Sequence, residues 1–219
     1  SRADDALSAR TAGIAYSADY QGWIVPSQTQ DSTMFVPEYY WYGLLGGAPN
    51  SGSQNYGLSV RGWTSSEFFS GKGTMFCPAE GGSVLRAHYA VSMGLTGNGK
   101  KSAGIFGGMC RKESGIKYPS STIFATELNT VIDAVSVGMI TGIAYRHGGS
   151  VNLTASELNT APSTLYYLNS RANVAYLDGH VNSKTIRDLP TASNRYAAFS
   201  SSDISECGFN RQQGAYFRE

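Results

Sequence analysis

The chain of 219 residues is 41% hydrophobic, enough to bury an ordinary core within one domain. Its formal net charge is +1, with lysines and arginines scattered along the length, so there is no electrostatic footprint for nucleic acid or an anionic lipid surface and no such partner is expected. The 26 glycines and 14 tyrosines favour strands, long ordered loops and contact faces over a helical bundle, which predicts an α+β fold heavy in loops.

The first predicted element is a helix from Ala3 to Tyr20. Ala3, Leu7, Ile14 and Ala18 recur at helical spacings and form one narrow apolar face that needs a partner. Asp4 and Asp5 suit the positive end of the helix dipole, and Gln21-Gly22 stops the helix before Trp23-Ile24-Val25-Pro26. The chain opens inside this pattern, as the lower part of a longer helix would.

Between Phe35 and Leu45 lies a dense aromatic cluster in which Pro37 is set to begin a helical turn. Its rings Tyr39, Tyr40, Trp41 and Tyr42 either fill the core beneath loops or form a contact surface, since Tyr and Trp dominate interface hot spots. Gly46 to Gly57 is a polar loop. Trp63 to Cys77 ends at Pro78, Val84 to Met93 is a predicted strand, and Gly94 to Gly108 is a long connection. Two further strands are predicted over Ser121 to Leu128 and Val135 to Arg146, both rich in β-branched residues.

The clearest strand signal is Arg171 to Val181. Val174, Tyr176 and Val181 alternate with small or polar neighbours, and Asp178-Gly179 between them predicts a hairpin turn. Upstream, Arg146-His147-Gly148-Gly149 ends another apolar run. The polar stretch from Gly148 to Ser170 has the look of an insertion, and its Asn152-Leu153-Thr154 matches a glycosylation acceptor too short to carry weight. Lys184 to Leu189 forms a short element before a Ser-rich tail. No repeat stands out at periods of 20 to 50 residues.

The three cysteines, Cys77, Cys110 and Cys207, lack the paired short spacings of a zinc site. If the protein is exported, Cys77 and Cys110 are the candidate disulfide; the alternative is three buried thiols behaving as small hydrophobes. The longest apolar run, Ala134 to Tyr145, falls short of the roughly 20 residues a spanning helix needs, and no signal-peptide pattern is visible.

Several short motifs together resemble a known family. Tyr16-Ser-Ala-Asp-Tyr20-Gln-Gly22-Trp-Ile-Val-Pro26 follows the helix, then come Phe76-Cys77-Pro78, His88-Tyr89-Ala90-Val91, Arg146-His147-Gly-Gly149, and Ala172-Asn173-Val174-Ala175-Tyr176-Leu177-Asp178-Gly179-His180-Val181. In this order they are similar to the pseudopilin-like, prepilin-type proteins with a C-terminal signature of a His, nine residues and Asp-Gly, made in planctomycete, verrucomicrobial and lentisphaeral bacteria. Here 30 residues separate His147 from Asp178, an insertion of 21 relative to that signature. Loop closure cost grows slowly with length, so the insertion is tolerable, and His147 is expected to hydrogen-bond near the Asp178 turn if the insertion bulges out.

The resemblance implies a single pilin-like domain over residues 1–219. Residues 1–20 are the end of an N-terminal helix packed on an antiparallel β-sheet, 21–120 a loop-rich middle, 121–189 the C-terminal sheet and 190–219 a tail. It also implies a hydrophobic helical half and a basic leader upstream of Ser1, anchoring in the inner membrane before assembly, a periplasmic or cell-surface location, and other pilin or pseudopilin subunits as partners in a type II secretion or type IV pilus-like system. His147, Asn173, Asp178, Gly179 and His180 are the motif residues, with a structural role.

His147, Asp178 and His180 also invite a metal or catalytic hypothesis. Against it, an Asp before Gly in a turn usually bonds its own backbone two residues on. Oxygen-rich calcium ligation is not evident, Asp203 and Glu206 being too sparse, so neither a metal nor a cofactor is expected. No Gly-x-Ser-x-Gly elbow or phosphate loop is present; Gly97-Asn-Gly-Lys-Lys lacks the spacing. The expectation is a non-enzymatic structural or assembly subunit. The alternative is an extracellular module that contacts a glycan or polymer through residues 39–42.

Overall fold

The computed structural model describes residues 2–29, 36–60, 63, 88–96, 111–116, 118–128, 136–137, 143–145, 147, 170–185 and 188. Helix α1 spans Arg2–Asp19, α2 Trp41–Gly46 and α3 Met93–Thr96; the strands are β1 Tyr89–Ser92, β2 Ile123–Glu127, β3 Ser136–Val137, β4 Arg171–Tyr176 and β5 Val181–Thr185. They form one sheet in the order β3-β1-β2-β4-β5. Pairs β1–β2, β2–β4 and β4–β5 are antiparallel, while the two-residue β3 runs parallel to β1, a departure from the uniformly antiparallel sheet expected. The α+β class, a helix on a mainly antiparallel sheet, is what these elements make.

Alanine at every third position from Ala3 to Ala18 gives α1 strong intrinsic helicity. Gln21 and Gly22 take positive φ values of 54° and 84°, and the Gly22 amide donates to Ser17 O at 2.7 Å, ending the helix where Gln21-Gly22 predicted. The face that packs on the sheet is not the predicted one. Ala9, Ala12, Gly13, Tyr16 and Ser17 are buried, whereas Leu7 and Ile14 are 44% and 45% exposed. Close approach explains the choice: a Cβ on Gly13 would stand 2.8 Å from Cζ of Phe124 in β2. At that point the helix comes so near because Gly13 carries no side chain.

Every residue of β1 and β2 and all but the first of β4 are buried, so alternation does not separate a wet from a dry face in these central strands. A register shift between Ile123 and Ala125 turns Phe124 toward α1. The aromatic cluster belongs to the core: Tyr40, Trp41 and Tyr42 are 2%, 0% and 1% exposed, and only Tyr39 is half-buried. A contact surface made of Tyr40, Trp41 and Tyr42 is thereby corrected, because the Pro37–Tyr39 turn and α2 point these rings inward. Cys77, Cys110 and Cys207, residues 148–169 of the polar stretch after His147 and the tail from 190 lie outside the described residues.

Candidate functional site

The Asp178-Gly179 turn closes β4 onto β5 by local chemistry. The Gly179 amide donates to Tyr176 O at 3.0 Å and the Tyr176 amide to His180 O at 2.9 Å, a three-residue connection with Gly179 at φ 101° in the left-handed region. The His180 amide donates to Asp178 Oδ1 at 3.2 Å, the bond to its own backbone two residues on that an Asp in this position favours. The same oxygen meets Nδ1 of the His180 ring at 2.5 Å, and that ring stacks on Tyr176 with centroids 4.3 Å apart. Burial pushes the Tyr176 phenol above its ordinary value, with the Asp188 and Asp178 carboxylates adding to the effect. The phenol therefore stays protonated at neutral pH.

The turn is tied to the helix from behind. Arg10, 3% exposed, sends Nε to Leu177 O at 2.8 Å and Nη2 to the same oxygen and to Glu113 Oε1, the latter at 3.1 Å. Its guanidinium carbon lies 5.3 Å from the centre of the Phe124 ring. Desolvation lowers the Arg10 pKa and Glu113 opposes that shift, leaving a buried cation with a carboxylate beside it.

His147 is elsewhere. Its amide donates to Arg171 O at 2.9 Å and accepts, through its own carbonyl, the Arg171 amide at 2.6 Å, so it pairs with the first residue of β4. The six-residue strand then carries the chain about 20 Å to the Asp178 turn at the opposite end. The expectation that His147 bonds near Asp178 is overturned, for a reason built into the spacing: the residues between them include the whole of β4. The two backbone bonds close the base of the stretch between His147 and Arg171 instead.

The partner of His147 is a residue the sequence did not single out. Its Nε2 lies 2.6 Å from Glu127 Oε1, which also accepts from Asn173 Nδ2 at 2.9 Å. Glu127 is fully buried at the end of β2, and its Oε2 has no hydrogen-bond partner among the described residues. The only hint in the sequence was a carboxylate closing the apolar strand Ile123-Phe124-Ala125-Thr126-Glu127. Asn173, named as a motif residue, thus acquires a physical role, as does His147: they hold a buried carboxylate between β2 and β4.

Two polar groups result, one on the surface at Asp178, Gly179 and His180, the other buried at Glu127, His147 and Asn173. Among the described residues no three His, Cys, Asp or Glu side chains gather as metal ligands would. Each cluster satisfies backbone or side-chain groups of neighbouring strands, which is the chemistry of a turn lock and a strand clamp. No family profile, curated protein or solved structure matches the chain.

Proposed function

We propose that this chain acts by packing, as a non-enzymatic structural subunit, and more particularly as the globular part of a pseudopilin-like subunit of a type II secretion or type IV pilus-like system. The observation that carries the reading is the two-sided use of α1. Its buried face, with Ala9, Ala12, Gly13 and Tyr16, lies against β2 and β4, while Leu7 and Ile14, one heptad apart, form an exposed apolar stripe. Other subunits of the same kind are the partners, and the periplasm or cell surface is the location. No described helix is long and apolar enough to cross a membrane. The proposal assigns membrane anchoring to a segment preceding Ser1. Reading the upstream coding sequence tests it: a basic leader followed by roughly 20 apolar residues is expected, and a hydrophilic domain in that place overturns it.

A second reading, contact with a glycan or polymer, has a footing on other rings than 39–42. Tyr20 and Trp23 are 38% and 41% exposed in the turn after α1, with Lys112 Nζ 5.1 Å from the Trp23 ring. A glycan array on the domain, with Trp23→Ala as control, separates the two: reproducible binding lost in the variant favours this second reading.

A further inference from the structure

Among the described residues β5 is the edge strand of the sheet, and edge strands present unpaired N–H and C=O groups to any other strand. The alternation set by the Tyr176–His180 pair fixes which groups those are. With Tyr176 and His180 bonded to each other, Ala175–Val181, Asn173–Ser183 and Arg171–Thr185 are the non-bonded pairs of the ladder. Ser183 and Thr185 therefore turn their backbone groups away from β4, toward the open edge.

Both residues are met by side chains. Arg171, the first residue of β4, reaches across β5: its Nη2 donates to Ser183 O at 2.7 Å and its Nε to Ser183 Oγ at 3.3 Å. Asp188 returns from beyond the strand, and its Oδ2 accepts the Thr185 amide at 2.8 Å and the Thr185 hydroxyl at 3.0 Å. The Thr185 amide is the main reason the Asp188 carboxyl is held below its usual range. One outward acceptor and one outward donor of β5 are thus capped by groups of opposite charge.

We infer that Arg171 and Asp188 guard the β5 edge against a second copy of this chain, whose β5 would otherwise add in antiparallel register. Self-pairing is the alliance the strand itself permits. An antiparallel β5–β5 contact about a two-fold axis is self-complementary, and centred on Ser183 it sets Val181 against Thr185 and Asn182 against Lys184. No lysine then faces its own copy, so side-chain charge along the strand offers no barrier. The barrier lies in the two caps. This inference does not depend on the pseudopilin reading, since it concerns the sheet edge and not the α1 stripe.

The test compares the parent with the Arg171→Ala/Asp188→Ala double variant by sedimentation equilibrium, with circular dichroism confirming the fold. The double variant is expected to dimerise at a concentration at least tenfold lower than the parent. Adding Ser183→Pro, which removes an outward-facing donor and leaves the β4 ladder intact, should reverse that dimerisation. A double variant that stays monomeric alongside the parent overturns the inference, as does a dimer indifferent to Ser183→Pro. If the double variant does not fold, amide exchange on the parent and on Asp188→Ala decides: the Thr185 amide should exchange at least tenfold faster in the variant, and unchanged exchange overturns the cap.

Discussion

Arg10 and Leu177, separated by 167 positions, are joined by a buried bond from the guanidinium Nε to the carbonyl oxygen at 2.8 Å. Through it the N-terminal helix grips the turn that closes the C-terminal hairpin. Arg10 belongs to none of the motifs legible in the sequence, and Leu177 stands inside the C-terminal motif without a role of its own there, yet the contact connects the two ends of the described chain.

Replacing Arg10 by Leu should therefore cost about 2–3 kcal/mol, the usual range for a lost charge-assisted bond that also leaves a buried acceptor unmet. Arg10→Lys should recover little of it, because an ammonium cannot serve Leu177 O and Glu113 with the same planar fork. Urea titration of the three proteins measures this. A loss below about 0.5 kcal/mol for Arg10→Leu would place the grip elsewhere.

Gly13 is where α1 comes closest to the sheet, its hypothetical Cβ 2.8 Å from Phe124 Cζ. Gly13→Val should destabilise by about 1–3 kcal/mol through overpacking. The phenyl ring is the obstacle, so adding Phe124→Leu should return part of the loss despite removing buried area. Thermal melts of the two single variants and the double variant give the coupling, and strict additivity would show that ring and helix are not in conflict.

His147→Leu removes one of the two donors that hold Glu127 and should cost about 2–4 kcal/mol, since the carboxylate stays fully buried. The double variant Glu127→Leu/His147→Leu should be more stable than His147→Leu alone, because no uncompensated group then remains. Chemical denaturation of both settles the order; the reverse order would mean that Glu127 draws its stabilisation from Asn173.

The parts that were legible in the sequence are those governed by near neighbours. Asp178-Gly179 named its own turn, Gln21-Gly22 its helix end and Pro37 its helical start, because each acts within about four residues. Where two distant segments approach, hydrophobicity misled. Leu7 and Ile14 looked like the inner face of α1, but the close approach of Gly13 to Phe124 sets the opposite face, with Ala9, Ala12 and Tyr16, against the sheet, so Leu7 and Ile14 turn outward. Tyr40, Trp41 and Tyr42 suit a core or an interface equally well by residue type, and only their position beneath the fold decides. Glu127 carried only a faint signal, because a carboxylate in a strand is ordinarily solvated and its partner His147 arrives from 20 positions away.

The Asp188 cap gives a pH dependence of known sign. The folded carboxyl is held below its ordinary value, first by the Thr185 amide and also by its hydroxyl and by the Lys184 and Arg171 charges. Its stabilisation is therefore complete above the unfolded value near 4 and is lost as pH falls through the folded one. The group is largely exposed, so the gain is under about 1 kcal/mol. The melting-temperature difference between the parent and Asp188→Asn should be positive and flat from about pH 5 to 7, and should shrink below about pH 4. A difference that grows on acidification would contradict the cap.

The α1 stripe yields the prediction that separates a packing role from a merely unusual surface. Leu7 and Ile14 are 44% and 45% exposed, so Leu7→Asp and Ile14→Asp should each change the stability of the isolated domain by no more than about 0.5 kcal/mol. In an assembling subunit the same carboxylates would have to be buried against a neighbouring copy without a partner, which is strongly unfavourable. Expressed from the full-length gene, the double variant should fold and fail to co-sediment with assembled material, whereas the parent co-sediments. Assembly that proceeds unchanged would remove α1 from the interface, and with it the observation on which the subunit reading rests.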